Sequence, residues 1–108
     1  MSNDTLVYNT LTDLAKVPGA RMMWGPRPPK PPYFVYETWP RSVYADDADH
    51  ATVDRYKATL YMSRYDDELV TRFEDAISTL GTYIRHSDAV EDGLCVLTWG
   101  LSLARRAD

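Results

Sequence analysis

HATVDRYKATLYMSRYDDELVTRFEDAISTLG (His50–Gly81) carries two hydrophobic periods, one after the other. Tyr56, Ala58, Leu60 and Met62 are apolar, while Arg55, Lys57, Thr59 and Ser63 between them are polar or charged, with Tyr61 the exception. A period of two marks a strand with one face buried and one wet. Beyond Arg64-Tyr65, the acids Asp66-Asp67-Glu68 suit a helix N-terminus, where unpaired N–H groups and the dipole favour negative charge. Leu69, Phe73, Ala76, Ile77 and Leu80 then recur at helical spacing, and Gly81 reads as a left-handed cap. Glu68 and Arg72 stand four apart in the favourable order for an ion pair. A strand that feeds a helix lying back across its own sheet is the expected core.

Working outward, Asn3 or Asp4 can cap a first helix over Thr5–Lys16, with Leu6, Val7, Leu11, Leu14 and Ala15 as its apolar stripe. Val17-Pro18-Gly19 stops it, because proline forbids continuation and pushes the preceding residue to extended geometry. Tyr33–Glu37 is dense in aromatic and β-branched residues and reads as a strand. After the central strand and helix, Thr82–His86 reads as a short strand, Ser87–Gly93 as a polar turn and Leu94–Leu103 as a last strand. In that last strand Cys95, Leu97, Trp99, Leu101 and Leu103 form the buried face. Residues 104–108 read as a solvated tail. The order of elements predicts one α+β domain over residues 1–108: a twisted, mainly antiparallel four-stranded sheet with two helices packed on one face.

Two segments escape this pattern. Residues 18–32 form a Pro-rich arm in which Met22-Met23-Trp24 precede Gly25-Pro26-Arg27-Pro28-Pro29-Lys30-Pro31-Pro32, a run that suits an extended polyproline-like path. It reads as a docking arm, as a ligand for a proline-recognising module, or as a stiff connector from helix to sheet. Ser42–Asp49 is a loop with the acidic tip Asp46-Asp47-Ala48-Asp49 beside His50. Clustered carboxylates near an imidazole are hard-cation ligands, but the order is not that of a calcium loop, and a solvated acidic loop is the simpler reading. The candidate partner-contact residues are therefore Met22, Met23, Trp24, Arg27 and Lys30 in the arm and Asp46, Asp47 and Asp49 in the loop.

Composition excludes several classes. The chain has 108 residues, enough for one domain that buries roughly two-thirds of its unfolded surface. A net charge of −4 argues against a general nucleic-acid binder, since phosphate neutralisation needs a basic surplus. No apolar run approaches a membrane span, and no signal-peptide pattern precedes the first helix. The single cysteine, Cys95, allows no internal disulfide and fits a reducing cytoplasm, and its place on an apolar strand face suits an inert buried thiol. His50 and His86 are isolated, no helix carries zinc-ligand spacing, and the glycines form no phosphate loop. Glu68, Glu74 and Asp75 fit the solvated face of a helix. No catalytic, metal or cofactor site is expected, and eight tyrosines hint at assembly.

The order of weak motifs adds something specific. Val17-Pro18-Gly19, Pro31-Pro32-Tyr33-Phe34-Val35-Tyr36, Tyr44-Ala45-Asp46-Asp47, Leu60-Tyr61 four residues after Tyr56, and Asp66-Asp67-Glu68 followed by Phe73-Glu74 come in sequence. In that order and spacing the chain resembles small neck proteins of long-tailed bacteriophages and prophages, of the tail-terminator or tail-completion type, from about Leu6 to Leu103. It departs from them where the acidic loop runs straight into His50 and in its long Pro-rich run. The resemblance implies a non-enzymatic structural protein of the virion neck, made in the host cytoplasm, that assembles as a hexameric ring. Such a ring caps the head-proximal end of the tail tube, stops tube polymerisation and faces the head's connector. The implied partners are further copies of the chain, the major tail tube protein and the head-completion or connector protein, with DNA passing through the channel unbound. A head-completion stopper or adaptor of the same neck, and a small ligand-binding α+β domain that dimerises through its sheet, are the alternatives.

Overall fold

The two-residue period folds as a strand and the helical period as a helix. In the computed structural model, which describes residues 3–24, 28–38 and 53–104, the elements in chain order are α1 (Asn3–Thr10), a π-helical segment (Leu11–Ala15), β1 (Gly19–Arg21), β2 (Tyr33–Thr38), β3 (Val53–Met62), α2 (Asp67–Ser78), β4 (Thr82–Glu91) and β5 (Leu94–Ala104). The strands form one sheet in the order β1-β2-β3-β5-β4. The α+β class is as expected, with both helical segments packed on one face.

The sheet has five strands, not four, and it is mixed. β1 runs parallel to β2, with Gly19 opposite Phe34 and Arg21 opposite Tyr36, whereas the other three pairings are antiparallel. The extra strand comes from the start of the segment read as an arm. Backbone bonds from Phe34 N to Pro18 O (3.0 Å) and from Met22 N to Tyr36 O (2.8 Å) close its two ends. Gly19 makes the close approach possible, since a Cβ there would stand 2.0 Å from Cζ of Phe34. Three residues between a proline and an irregular run are too few to show a two-residue period, so the strand has no signature in the sequence.

The alternation in β3 places Tyr56, Ala58, Leu60 and Met62 in the core, and that in β5 adds Leu97, Trp99, Leu101 and Leu103. From α2, Leu69, Val70, Phe73, Ala76 and Ile77 cover the same face. Phe73 sits at the centre, its ring 5.7 Å from Phe34 and 5.0 Å from Trp99 between centroids. Asp66 caps α2, its carboxylate accepting from the amide of Leu69 at 3.2 Å.

Several local expectations are corrected. Gly81 is not a left-handed cap: α2 ends at Thr79 in right-handed geometry, and among the described glycines Gly93 is the one with positive φ. Gly81 is required instead by proximity, because a Cβ would lie 2.2 Å from the carbonyl oxygen of Ser102. Arg72 does not pair with Glu68; its Nε donates to the carbonyl of Ala15 at 2.8 Å, tying α2 to the end of the first helical segment. That segment changes pitch at Leu11. The buried residues Asn3, Val7, Leu11 and Ala15 follow a spacing of four, wider than the α-helical 3.6, so Leu14 turns outward and is 49% exposed. The C-cap Lys16 is left-handed (φ 61°) before Pro18. Asn3 and Asp4 lie inside α1 and spend their side chains on the sheet rather than on a cap.

The largest correction is at the C-terminal hairpin. Ser87–Gly93 is not a loop: β4 continues to Glu91, and Asp92 and Gly93, both at positive φ (52° and 79°), make the whole turn. Two central residues in left-handed geometry match the right-handed twist of flanking strands, and Asp-Gly is the favoured pair for it. β4 carries one irregularity, a register shift between Arg85 and Ser87 that leaves His86 as an extra residue.

Candidate functional site

The described part of the arm divides in two. Met22 and Met23 leave β1 at the sheet's edge and are 62% and 73% exposed. Met22 holds φ at 68°, a left-handed backbone that costs an unbranched side chain about 1–2 kcal/mol relative to glycine. Trp24 turns the other way. It is half-buried, with its indole N–H donating to the carbonyl of Phe34 (3.3 Å) and its ring edge-on to Tyr33 at 6.0 Å. Tyr33 in turn stacks on Tyr61 of β3 at 4.9 Å, so an aromatic ladder runs from the arm onto the sheet face opposite the helices. Lys30 is exposed ahead of β2. Arg27, Asp46, Asp47 and Asp49 lie outside the described residues, as does the whole acidic loop; of the candidate set the structure describes Met22, Met23, Trp24 and Lys30, and it does not gather them into one cluster.

The base of this edge is braced by polar contacts. Asp4 of α1 accepts from the hydroxyl of Tyr56 and pairs with Arg21 of β1, and Arg21 also donates to Oγ1 of Thr38 at 3.2 Å. Asn3, 5% exposed, donates to Asp54 (2.9 Å) and to the carbonyl of Ala104 (3.0 Å). One helical turn is thereby fastened to β1, β3 and β5. Burial first, and then the hydrogen bond to Asp4, push the Tyr56 hydroxyl's pKa well above its usual value; burial does the same, more weakly, to Tyr36 and Tyr61.

At the opposite end of the sheet, Glu74 departs from the solvated role expected of it. Its Oε2 accepts from the indole N–H of the fully buried Trp99 (2.8 Å) and from Nε and Nη2 of Arg85 (3.1 and 2.8 Å). A buried indole needs an acceptor, and Glu74 supplies it while holding Arg85 of β4 over the Trp99 ring. The Glu74 hydrogen bond is the main cause raising the Arg85 pKa. Beyond this clasp β4 stands in solvent: all ten of its residues are exposed, with Ile84 at 68% and Val90 at 79%. Sequence reading missed this surface, although Asp92-Gly93 between two polar-apolar runs was the signal for it.

Elsewhere, an open hollow of about 560 Å³ lies between Pro32 and the β3–α2 turn, lined by Arg64, Tyr65, Asp66, Asp67 and Glu68 among others. Asp66 is committed to the helix cap. Among the described residues no three His, Cys, Asp or Glu side chains are grouped to hold a metal ion, and no helix is long and apolar enough to cross a membrane. Cys95 is a free thiol, partly buried against the core. Taken together, the described residues present exposed methionines at one edge of the sheet and an exposed ten-residue strand at the other. No protein-family model matches the chain, and neither does any curated protein.

Proposed function

We propose that this chain is a structural neck protein of the tail-terminator type. It forms a ring, hexameric by the resemblance, on the head-proximal end of a phage tail tube, stops the tube's growth and offers the surface to which the filled head joins. What carries the reading is the run of motifs from Val17-Pro18-Gly19 to Asp66-Asp67-Glu68 in one order along a single α+β domain. The display of Met22 and Met23 supports it, because a strained backbone holding two large apolar side chains out of the fold is a contact surface waiting for a partner. A ring needs a heterologous contact whose rotation closes, and a small domain supplies it from an edge and its loops. The chain performs no reaction in this scheme; its acidic balance suits a channel through which DNA slides rather than sticks.

The test is a lysate of phage lacking the gene. Tails that fail to join heads, some of them overgrown, beside DNA-filled heads are the expected outcome. Complete particles would overturn the reading, and leaking heads beside tails of normal length would replace it with the head-completion stopper.

A further inference from the structure

The fold sorts its methionine sulfurs into open and closed ones. We propose that Met22 and Met23 form an oxidation site, where a peroxide turns both thioethers into sulfoxides and so makes an apolar patch polar while the fold stays intact. The chain has four methionines, of which Met1 lies outside the described residues. Met62 is 2% exposed and belongs to the core shared by β3, β5 and α2. Met22 and Met23, just past β1, are the opposite case, with most of their surface in solvent. Oxidation at sulfur follows the oxidant's access to it, so two sulfurs are open to attack and the third is closed.

The backbone sets this display. The amide of Met22 donates to the carbonyl of Tyr36 at 2.8 Å, and the amide of Met23 turns back to the carbonyl of Arg21, also at 2.8 Å. With its φ at 68°, Met22 is the centre of a three-residue γ-turn of the rare, strained form. Both residues are placed by backbone bonds and not by the packing of their side chains, so the fold loses little when their sulfurs change. At Met62 the same change would push a polar group into the core. The reaction balances with hydrogen peroxide alone. A sulfur lone pair attacks one peroxide oxygen, and an S–O bond forms as the O–O bond breaks. The displaced hydroxide takes the proton of the transferred oxygen and leaves as water. Sulfur is oxidised by two electrons and the peroxide is reduced by two, one peroxide for each methionine. A sulfoxide is polar and chiral where the thioether was apolar and flexible, so two in a row erase the apolar character of this edge.

This site goes beyond the neck reading and holds whether or not the chain caps a tube. The test treats the purified full chain with dilute hydrogen peroxide and locates the added oxygens by peptide mass mapping. Met22 and Met23 should each gain one oxygen about tenfold faster than Met62, or more, and in guanidinium chloride all three should react alike. The oxidised chain should keep its circular dichroism and melting temperature, and should leave a hydrophobic-interaction column earlier than the untreated chain. Met22→Leu combined with Met23→Leu keeps two apolar side chains but offers no sulfur there, so its elution should be the same before and after peroxide. Met62 oxidising in the folded chain as fast as Met22 and Met23 would overturn the proposal. So would loss of the fold when those two are oxidised, an unchanged elution of the oxidised parent, or an equal shift in the doubly substituted chain. None of these results touches the lysate experiment.

Discussion

Tyr56 shows how one side chain couples the fold to pH. Its hydroxyl is enclosed and donates to Asp4, so the folded chain holds the proton to a pH above the ordinary tyrosine value of 10.0. In the unfolded chain the same hydroxyl ionises near that value. The sign follows: the stabilisation is complete below pH 10 and is lost as pH rises past it, because the unfolded state then releases a proton that the folded state retains. Tyr36 and Tyr61 are displaced in the same direction. A plot of melting temperature against pH should therefore turn down above about pH 10. Tyr56→Phe should start lower at neutral pH, having lost the bond to Asp4, and fall less steeply in alkali. Parallel curves for the two proteins would show that Tyr56 does not contribute to the alkaline loss.

Elements are held to one another by a few contacts that span them. Phe73 is fully buried and touches β2 through Phe34 and β5 through Trp99, so it is the point where α2 grips both halves of the sheet. Phe73→Ala should cost about 3 kcal/mol or more, since the emptied volume is walled by aromatic rings on strands that cannot collapse inward. The denaturation midpoint measures this, and an unmoved midpoint would contradict the packing of α2. The hairpin is the contrasting element. β4 contributes Arg85 to the clasp on Glu74 and Trp99 but no residue to the buried core, and its length is sustained by the ladder to β5 and the Asp92-Gly93 turn.

At the scale of the whole molecule, the sheet's two ends differ. The β1 end displays methionines on a strained backbone, and the β4 end presents a strand whose ten residues are all exposed. Met22→Gly combined with Met23→Ser removes two exposed apolar side chains and relieves the left-handed φ at residue 22. Stability should hold or rise by up to about 1 kcal/mol, read from thermal melts. Head–tail joining, scored by complementing a lysate that lacks the gene, should fall sharply. A variant that complements as well as the parent would show that these methionines are not the contact.

The sequence by itself determined the α+β class, the single domain, the core positions of β3, α2 and β5, and the acidic N-terminus of α2. Each rests on a local rule: a period of two or of 3.6, or a side chain that reaches an amide three residues on. Tertiary structure alone decided the rest. β1 is a strand because Gly19 lets backbone lie against the Phe34 ring fifteen residues away. Glu74 is half-buried because Trp99, twenty-five residues on, needs an acceptor. Leu14 faces solvent because the helix widens its pitch to keep Leu11 and Ala15 on the sheet. β4 runs on past His86 because the ladder to β5 supplies its backbone bonds, so its side chains need no hydrophobic period. In each case the deciding contact joins residues far apart in the chain, and no local period or propensity encodes such a contact.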